Sequence, residues 1–202
     1  MKSNKEILSK YLPDKAVALS LKLLEDSNAQ LRITRSRNTK LGDYRPPLQL
    51  KYHRISVNHD LNKYHFLITL IHEFAHLKNW EINGRVVKPH GNEWKDCFRN
   101  LMKPYFFADV FPLDLQEEVI RYLKNPTSSA CNENLIKKLR EYDDAQNPLT
   151  LEDIPENSHF RIYNGIVFRK LEKMRKRYKC LRLDTNRIYL VSPVVRVMRV
   201  DV

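Results

Sequence analysis

Residues 67–80 read LITLIHEFAHLKNW. The apolar residues of this stretch repeat at the spacing of an α-helix: Leu67, Leu70, Ile71, Phe74 and Leu77. The sequence therefore predicts a long, largely buried helix from Leu61 to about Asn79, with Gly84 ending the pattern.

Two histidines and a glutamate interrupt this apolar helix in the pattern His-Glu-x-x-His, at His72, Glu73 and His76. Residues four apart lie on one helix face, so both imidazoles can bind one Zn²⁺ at about 2.0–2.1 Å. Glu73 can then act as general base towards a zinc-activated water and pass the proton to the leaving amine. A chance match is the alternative. A chance match would often fall in an exposed segment. This match lies in a helix predicted to be buried, where unpartnered polar groups are unfavourable.

A catalytic zinc ion usually has three protein ligands and one open position, so a third ligand is needed. The metzincin pattern would place histidine at position 82 and glycine at 79, but the chain has Ile82 and Asn79. Two candidates remain downstream. His90 precedes a glycine that allows a tight turn, and Glu93 falls in the first turn of the next predicted helix, where a carboxylate is also favoured by the helix dipole. The residues favour His90 and leave Glu93 open.

The remaining chain predicts an α+β protein. Residues 4–30 form one helix or a helix pair divided by Pro13, and residues 31–57 alternate like a small antiparallel sheet. A helix begins near Gly91 and ends before Pro104, and residues 113–124 and 133–143 are further helix candidates. After the loop-like residues 146–159 the pattern becomes strand-like to the C-terminus.

The chain of 202 residues carries a formal net charge of +12, which favours polyanionic partners, chiefly nucleic acid or an anionic membrane surface. The C-terminal strands contribute strongly, because residues 161–199 contain twelve basic and two acidic residues. Aromatic residues lie between them and could stack on unpaired bases, so this region is the predicted DNA contact. The three cysteines are far apart, and neither a signal peptide nor a membrane-spanning run is visible. We expect a cytoplasmic protein without membrane contact.

Two stretches resemble a known family: ISVNHDLNKYHFLITLIHEFAHLKNW and the following PHGNEWKDCFRNLM. Together with RNTKLGDYRPP at 37–47, they are similar to the SprT-like, or Spartan-type, zinc metalloprotease domain over roughly residues 5–110. The resemblance implies a zincin-like minimal protease domain in which His72, His76 and His90 bind one catalytic zinc and Glu73 is catalytic. It argues against Glu93 as a ligand. It also implies a protein substrate, including proteins bound or crosslinked to DNA.

The C-terminal region departs from the bacterial members of this family that end in a four-cysteine zinc ribbon, because it retains only Cys180. We interpret it as a ribbon-like β unit without metal. The predicted organisation is a metalloprotease domain at 1–112, a helical connector at 113–150 and a basic β-rich unit at 151–202. Two alternatives remain: a nucleic-acid-binding protein with a structural or vestigial metal site, and a metal-dependent hydrolase of a non-peptide bond.

Overall fold

A computed structural model of the chain describes residues 3–37, 40–48, 50–84, 88–128, 131–143 and 149–200. Helices and strands both occur, which confirms the α+β class. The chain divides into two compact units, Met1–Asp143 and Asp144–Val202.

The helices of the first unit surround a single apolar core. In chain order they are α1 (Asn4–Tyr11), α2 (Asp14–Asp26), α3 (Lys63–Asn83), α4 (Asn92–Phe107), α5 (Leu113–Leu123) and α6 (Glu133–Arg140). Pro13 separates α1 from α2, so the prediction of a helix pair is confirmed. Proline suits the position before a helix, because its fixed φ is allowed there and its missing backbone N–H is not needed.

Helix α3 is the central element of this core. The side chain of Asn62 caps its first turn by accepting a hydrogen bond from the His65 N–H at 2.9 Å, and Gly84 ends it with a φ of +65°. The predicted helix is confirmed and extends to Asn83. Its apolar side chains, such as Phe66 and Phe74, are fully buried. Within the described residues, no helix combines the length and apolar character needed to cross a bilayer.

A three-stranded sheet packs against α3. Its strands are β1 (Ala29–Thr34), β2 (Gly42–Arg45) and β3 (His53–Asn58), in the order β1-β3-β2. β2 runs antiparallel to β3, but β1 runs parallel to it, so the prediction of a purely antiparallel sheet is wrong. Alternation of polar and apolar residues defines the two faces of a strand and carries no information about its direction.

Helix α4 continues past the point where it was predicted to stop. Pro104 lies inside it rather than after it. Proline has no N–H, so the carbonyl of Asn100 loses its helical donor. Asn100 is exposed and water can satisfy that carbonyl, while Met102 and Tyr105 on the opposite face are buried in the core. Packing on one side and solvent on the other therefore allow the proline within the helix.

Helices α5 and α6 also bury side chains in the core of the first unit, among them Leu115, Val119, Leu135 and Leu139. The segment that we expected to be a connector, residues 113–150, thus shares the first unit's core as far as α6. Residues 144–148 of that segment lie outside the described residues.

The second unit is a five-stranded antiparallel sheet with a small core of its own. Its strands are β4 (His159–Arg161), β5 (Val167–Met174), β6 (Arg177–Arg182), β7 (Arg187–Val191) and β8 (Met198–Arg199), in the order β7-β6-β5-β4-β8. Cys180 lies in this core, where burial raises the pKa of its thiol to about 12. A thiol that stays protonated is a poor metal ligand. The likeness to a zinc ribbon remains a prediction.

Candidate metal centre

Helix α3 places His72 and His76 one turn apart on the same face. Their Nε2 atoms are 3.3 Å from each other. His72 is buried and His76 is half-buried, because Trp94 of α4 packs against both rings. The four-residue spacing of His72 and His76 in the sequence therefore directs their two imidazole nitrogens at one point.

His90 reaches the same point from the turn between α3 and α4. The Gly91 N–H donates to the Lys88 carbonyl at 2.9 Å and closes this turn. His90 adopts a φ of +59°, a left-handed conformation that is uncommon for a residue with a side chain. Its Nε2 lies 3.3 Å from the His72 Nε2. A strained backbone thus presents the ring to the two histidines of α3.

The three imidazoles fit a zinc ion. The ligand nitrogens of His72, His76 and His90 all lie within 4.8 Å of one another. Two nitrogens bound tetrahedrally to one zinc at about 2.0–2.1 Å are about 3.3–3.4 Å apart, close to the two distances of 3.3 Å found here. Burial lowers the pKa of His72 to about 2 and that of His76 to about 4, and it also lowers the pKa of His90. Neutral imidazoles are the form that binds metal.

The other nitrogen of His72 has an unusual environment. A ligating histidine usually donates its second N–H to a carboxylate or carbonyl. His72 Nδ1 is buried, and the described residues provide no hydrogen-bond partner for it. Aromatic packing holds the ring instead, with centroid distances of 4.6 Å to Trp94 and 5.8 Å to Phe98. The orientation of His72 therefore depends on packing rather than on a hydrogen bond.

Trp94 supports the whole cluster. Its ring centroid lies 4.6 Å from that of His72, 5.3 Å from that of His76 and 4.6 Å from that of His90. The side chain is fully buried. Its contact with all three imidazoles was not anticipated. The sequence carries a sign of this contact, because Trp94 follows the pair His90–Gly91 by about one helical turn.

Glu73 lies beside this cluster on α3 and is buried, with 6% of its surface exposed. Burial, and secondarily the carboxylate of Asp43, raise the pKa of Glu73 to about 8. Strand β2 crosses directly over it. A Cβ atom on Gly42 would lie 2.7 Å from Glu73 Cγ and still closer to Oε1, so only glycine allows this approach. Gly42 belongs to β2, the strand that covers the glutamate.

We expect Gly42→Ala to displace the Glu73 carboxylate while leaving the histidines in place. A displacement of about 1 Å at a reacting group can lower the rate about 100-fold. If the centre hydrolyses peptides with zinc, as the sequence predicts, cleavage should fall by roughly that factor with unchanged zinc content, as measured by a peptide-cleavage assay and elemental analysis of the same sample. Activity within twofold of wild type would show that the close approach of β2 to Glu73 has no catalytic consequence.

Glu93, the alternative third ligand, lies in the first turn of α4 and is exposed. It does not belong to the convergent group, which consists of His72, His76 and His90 within the described part of the chain. The geometry thus favours His90 for that role.

The sequence was also compared with known proteins. The model of the SprT-like family matches residues 11–116, slightly more than half of the chain. No curated protein and no solved structure matches it. The matched range includes α3, β2 and the turn that carries His90, so it covers every residue of the candidate centre. The chain therefore belongs to the SprT-like family.

Proposed function

We propose that this protein is a zinc-dependent endopeptidase in which His72, His76 and His90 hold one zinc ion and Glu73 is the general base. Membership of the SprT-like family indicates a metalloprotease-type function at a coarse level. The observation that carries the finer proposal is the convergence of three imidazoles, whose ligand nitrogens all lie within 4.8 Å of one another, beside the buried carboxylate of Glu73.

The chemistry follows from the residues around the cluster. When bound, zinc acts as a Lewis acid that polarises the scissile carbonyl and activates a water molecule. Glu73 takes a proton from the attacking water and delivers it to the nitrogen of the leaving amine. Gly42 allows β2 to cover this carboxylate, and the covering strand limits the access of bulk water to it. Trp94 keeps the three imidazoles in position.

An open strand edge beside Glu73 favours a peptide substrate over a non-peptide one. β2 is an edge strand in the described sheet. Asn58 N–H donates to the Leu41 carbonyl at 2.9 Å, so Leu41 is hydrogen-bonded to β3. In an antiparallel pair, every second residue of a strand bonds to its neighbour and the residues between point their N–H and C=O groups the other way. Gly42 and Tyr44 therefore direct their backbone groups away from β3. An extended peptide can add to such an edge through main-chain hydrogen bonds. We infer that the substrate lies along β2 with its scissile bond at the metal centre.

The second unit supports a nucleic-acid partner. Basic residues surround the turn between β5 and β6, where Lys176 and Arg177 are exposed. Tyr163 is 62% exposed and could stack on an unpaired base. We propose that this unit binds DNA and brings the peptidase to DNA-bound or DNA-crosslinked proteins. A nucleic-acid-binding protein with a purely structural metal is the second candidate, but a structural site has no need of a base such as Glu73.

The direct test is hydrolysis of an unfolded protein substrate by zinc-loaded protein, with the new termini identified by mass spectrometry. Cleavage at internal peptide bonds that stops on chelation and returns with added zinc supports the proposal. The assay should be repeated with single-stranded DNA and with a substrate crosslinked to it. Absence of cleavage under all of these conditions, from protein that retains zinc, would reject the endopeptidase and favour the structural metal site.

A further inference from the structure

The three-stranded sheet of the first unit has two chemically different faces. The face towards α3 carries apolar side chains, including Leu31, Ile33 and Ile55, which pack on the core. Alternation along each strand directs the intervening residues to the opposite, outer face. These outer residues are Gln30, Arg32 and Thr34 on β1, Asp43 and Arg45 on β2, and Arg54 and Ser56 on β3.

The strand register brings the arginines of this outer face together. Arg45 lies directly opposite Arg54 in the antiparallel pair, and Arg32 is paired with Ser56, which makes it a diagonal neighbour of Arg54. Like charges placed opposite each other in a sheet are destabilising. Such an arrangement is unfavourable for folding alone, and a bound anion would relieve the repulsion.

The nearby acidic group, Asp43, pairs with only one arginine of this cluster. The Asp43 carboxylate accepts from Lys40 Nζ at 2.7 Å and from Arg45 Nε at 3.0 Å, so it is already shared between two cations. Arg32 and Arg54 form no ion pair with the described residues. Two guanidinium groups are therefore available on adjacent strands, and guanidinium binds phosphate through two parallel hydrogen bonds.

These arginines line a cleft of about 530 Å³ on the outer face. Tyr52 also lines this cleft. It lies two residues before Arg54 and points to the same face. Its ring is half-buried and makes no aromatic contact with another described side chain. Arg37 closes one side, where its guanidinium donates to Asn58 Oδ1 at 2.8 Å and Ser56 Oγ at 3.0 Å. The cleft thus combines fixed positive charge with an aromatic ring.

We propose that this outer face binds single-stranded nucleic acid, with phosphates on Arg32 and Arg54 and a base stacked on Tyr52. Alternating cations and aromatic rings bind a flexible strand without sequence preference. The net charge of +12 attracts such a polyanion from a distance. An acidic peptide would satisfy the arginines but gains less from an aromatic platform, so the tyrosine favours nucleic acid.

Nucleic acid bound on the outer face of the sheet would lie on the side opposite to Glu73 and the metal centre. Gly42 of β2 faces Glu73 on the inner side of the sheet, whereas its neighbour Asp43 lines the cleft on the outer side. A strand held on the outer face would lie behind the metal centre and leave the free edge of β2 open to a substrate. This surface belongs to the first unit, so it would be a second nucleic-acid contact besides the basic strands of the second unit.

The test is fluorescence anisotropy with a labelled oligothymidylate of about 15 nucleotides, a length within the range of known single-strand sites. The full-length double variant R32A/R54A is compared with K22A/K103A, which removes the same charge from exposed positions on α2 and α4. We expect R32A/R54A to weaken binding about tenfold at 0.1 M salt and to reduce the slope of log K against log salt by about 1.4, as two lost phosphate contacts require. The control should change the affinity by less than twofold.

Two further measurements sharpen the outcome. Tyr52→Leu should weaken binding severalfold with an unchanged salt slope, and a duplex of equal length should bind less tightly than the single strand. The melting temperature of R32A/R54A should equal or exceed that of the wild type, because repulsion across β2 and β3 is relieved. The proposal is wrong if R32A/R54A behaves like the lysine control, or if a glutamate-rich peptide displaces the oligonucleotide at lower concentration than unlabelled strand. Binding is measured without proteolysis, so this inference and the proposed peptidase activity can fail independently.

Discussion

Glu73→Gln should abolish peptide hydrolysis while the protein stays folded and retains its zinc. A general base contributes about 10²–10⁴ to the rate, so kcat/KM should fall by at least about 100-fold. Glutamine has nearly the shape of the glutamate and cannot take up the proton. The site already disfavours the charged carboxylate, since burial raises the pKa of Glu73 to about 8, and a neutral amide should therefore be tolerated.

The matched control is Glu93→Gln, which makes the same chemical change on the exposed first turn of α4. Its activity should remain within twofold of wild type. Zinc content and melting temperature of both variants should match those of the wild type. If Glu73→Gln retained more than a tenth of the activity, Glu73 would not be the base, and the structural-metal alternative would gain support.

His90→Ala should release zinc without unfolding the protein. His90 is half-buried on a turn, so its truncation leaves the apolar core around α3 intact. Loss of residues that merely support a ligand lowers metal affinity about 10–100-fold, so loss of the ligand itself should exceed 100-fold. The affinity is measured by competition with a chromophoric zinc chelator, and circular dichroism checks the fold.

Glu93→Gln serves as the control here too, because it tests the competing third ligand. Its zinc affinity should be unchanged. The opposite pattern, with full affinity in His90→Ala and loss in Glu93→Gln, would transfer the third position to Glu93 and require a rearrangement of the turn before α4.

The sequence alone predicted the elements with strong periodicity. Helix α3 was recognisable because its apolar residues follow one repeat for several turns, and His72 and His76 share a face of any such helix. The approach of His90 could not be read from spacing, because it depends on a left-handed turn and on the packing of α4 against α3. The glycine after His90 favoured this residue as the third ligand, and the family resemblance then argued against Glu93.

Other features were invisible for physical reasons. The parallel pairing of β1 with β3 depends on the path of the chain between them, which alternation does not record. The role of Gly42 could not be recognised from the sequence, because the close approach of β2 to Glu73 depends on how the sheet packs against α3. Pro104 predicted a helix end, but the buried side chains around it outweigh one missing hydrogen bond.

The most direct test of the metal centre is the zinc content of the wild-type protein, measured by elemental analysis after reconstitution and removal of excess metal. We expect about one zinc per chain, bound by His72, His76 and His90, and none in the second unit. Two zinc ions per chain would require a further metal site outside this cluster. No zinc in correctly folded protein would contradict the metal centre and, with it, the proposed peptidase.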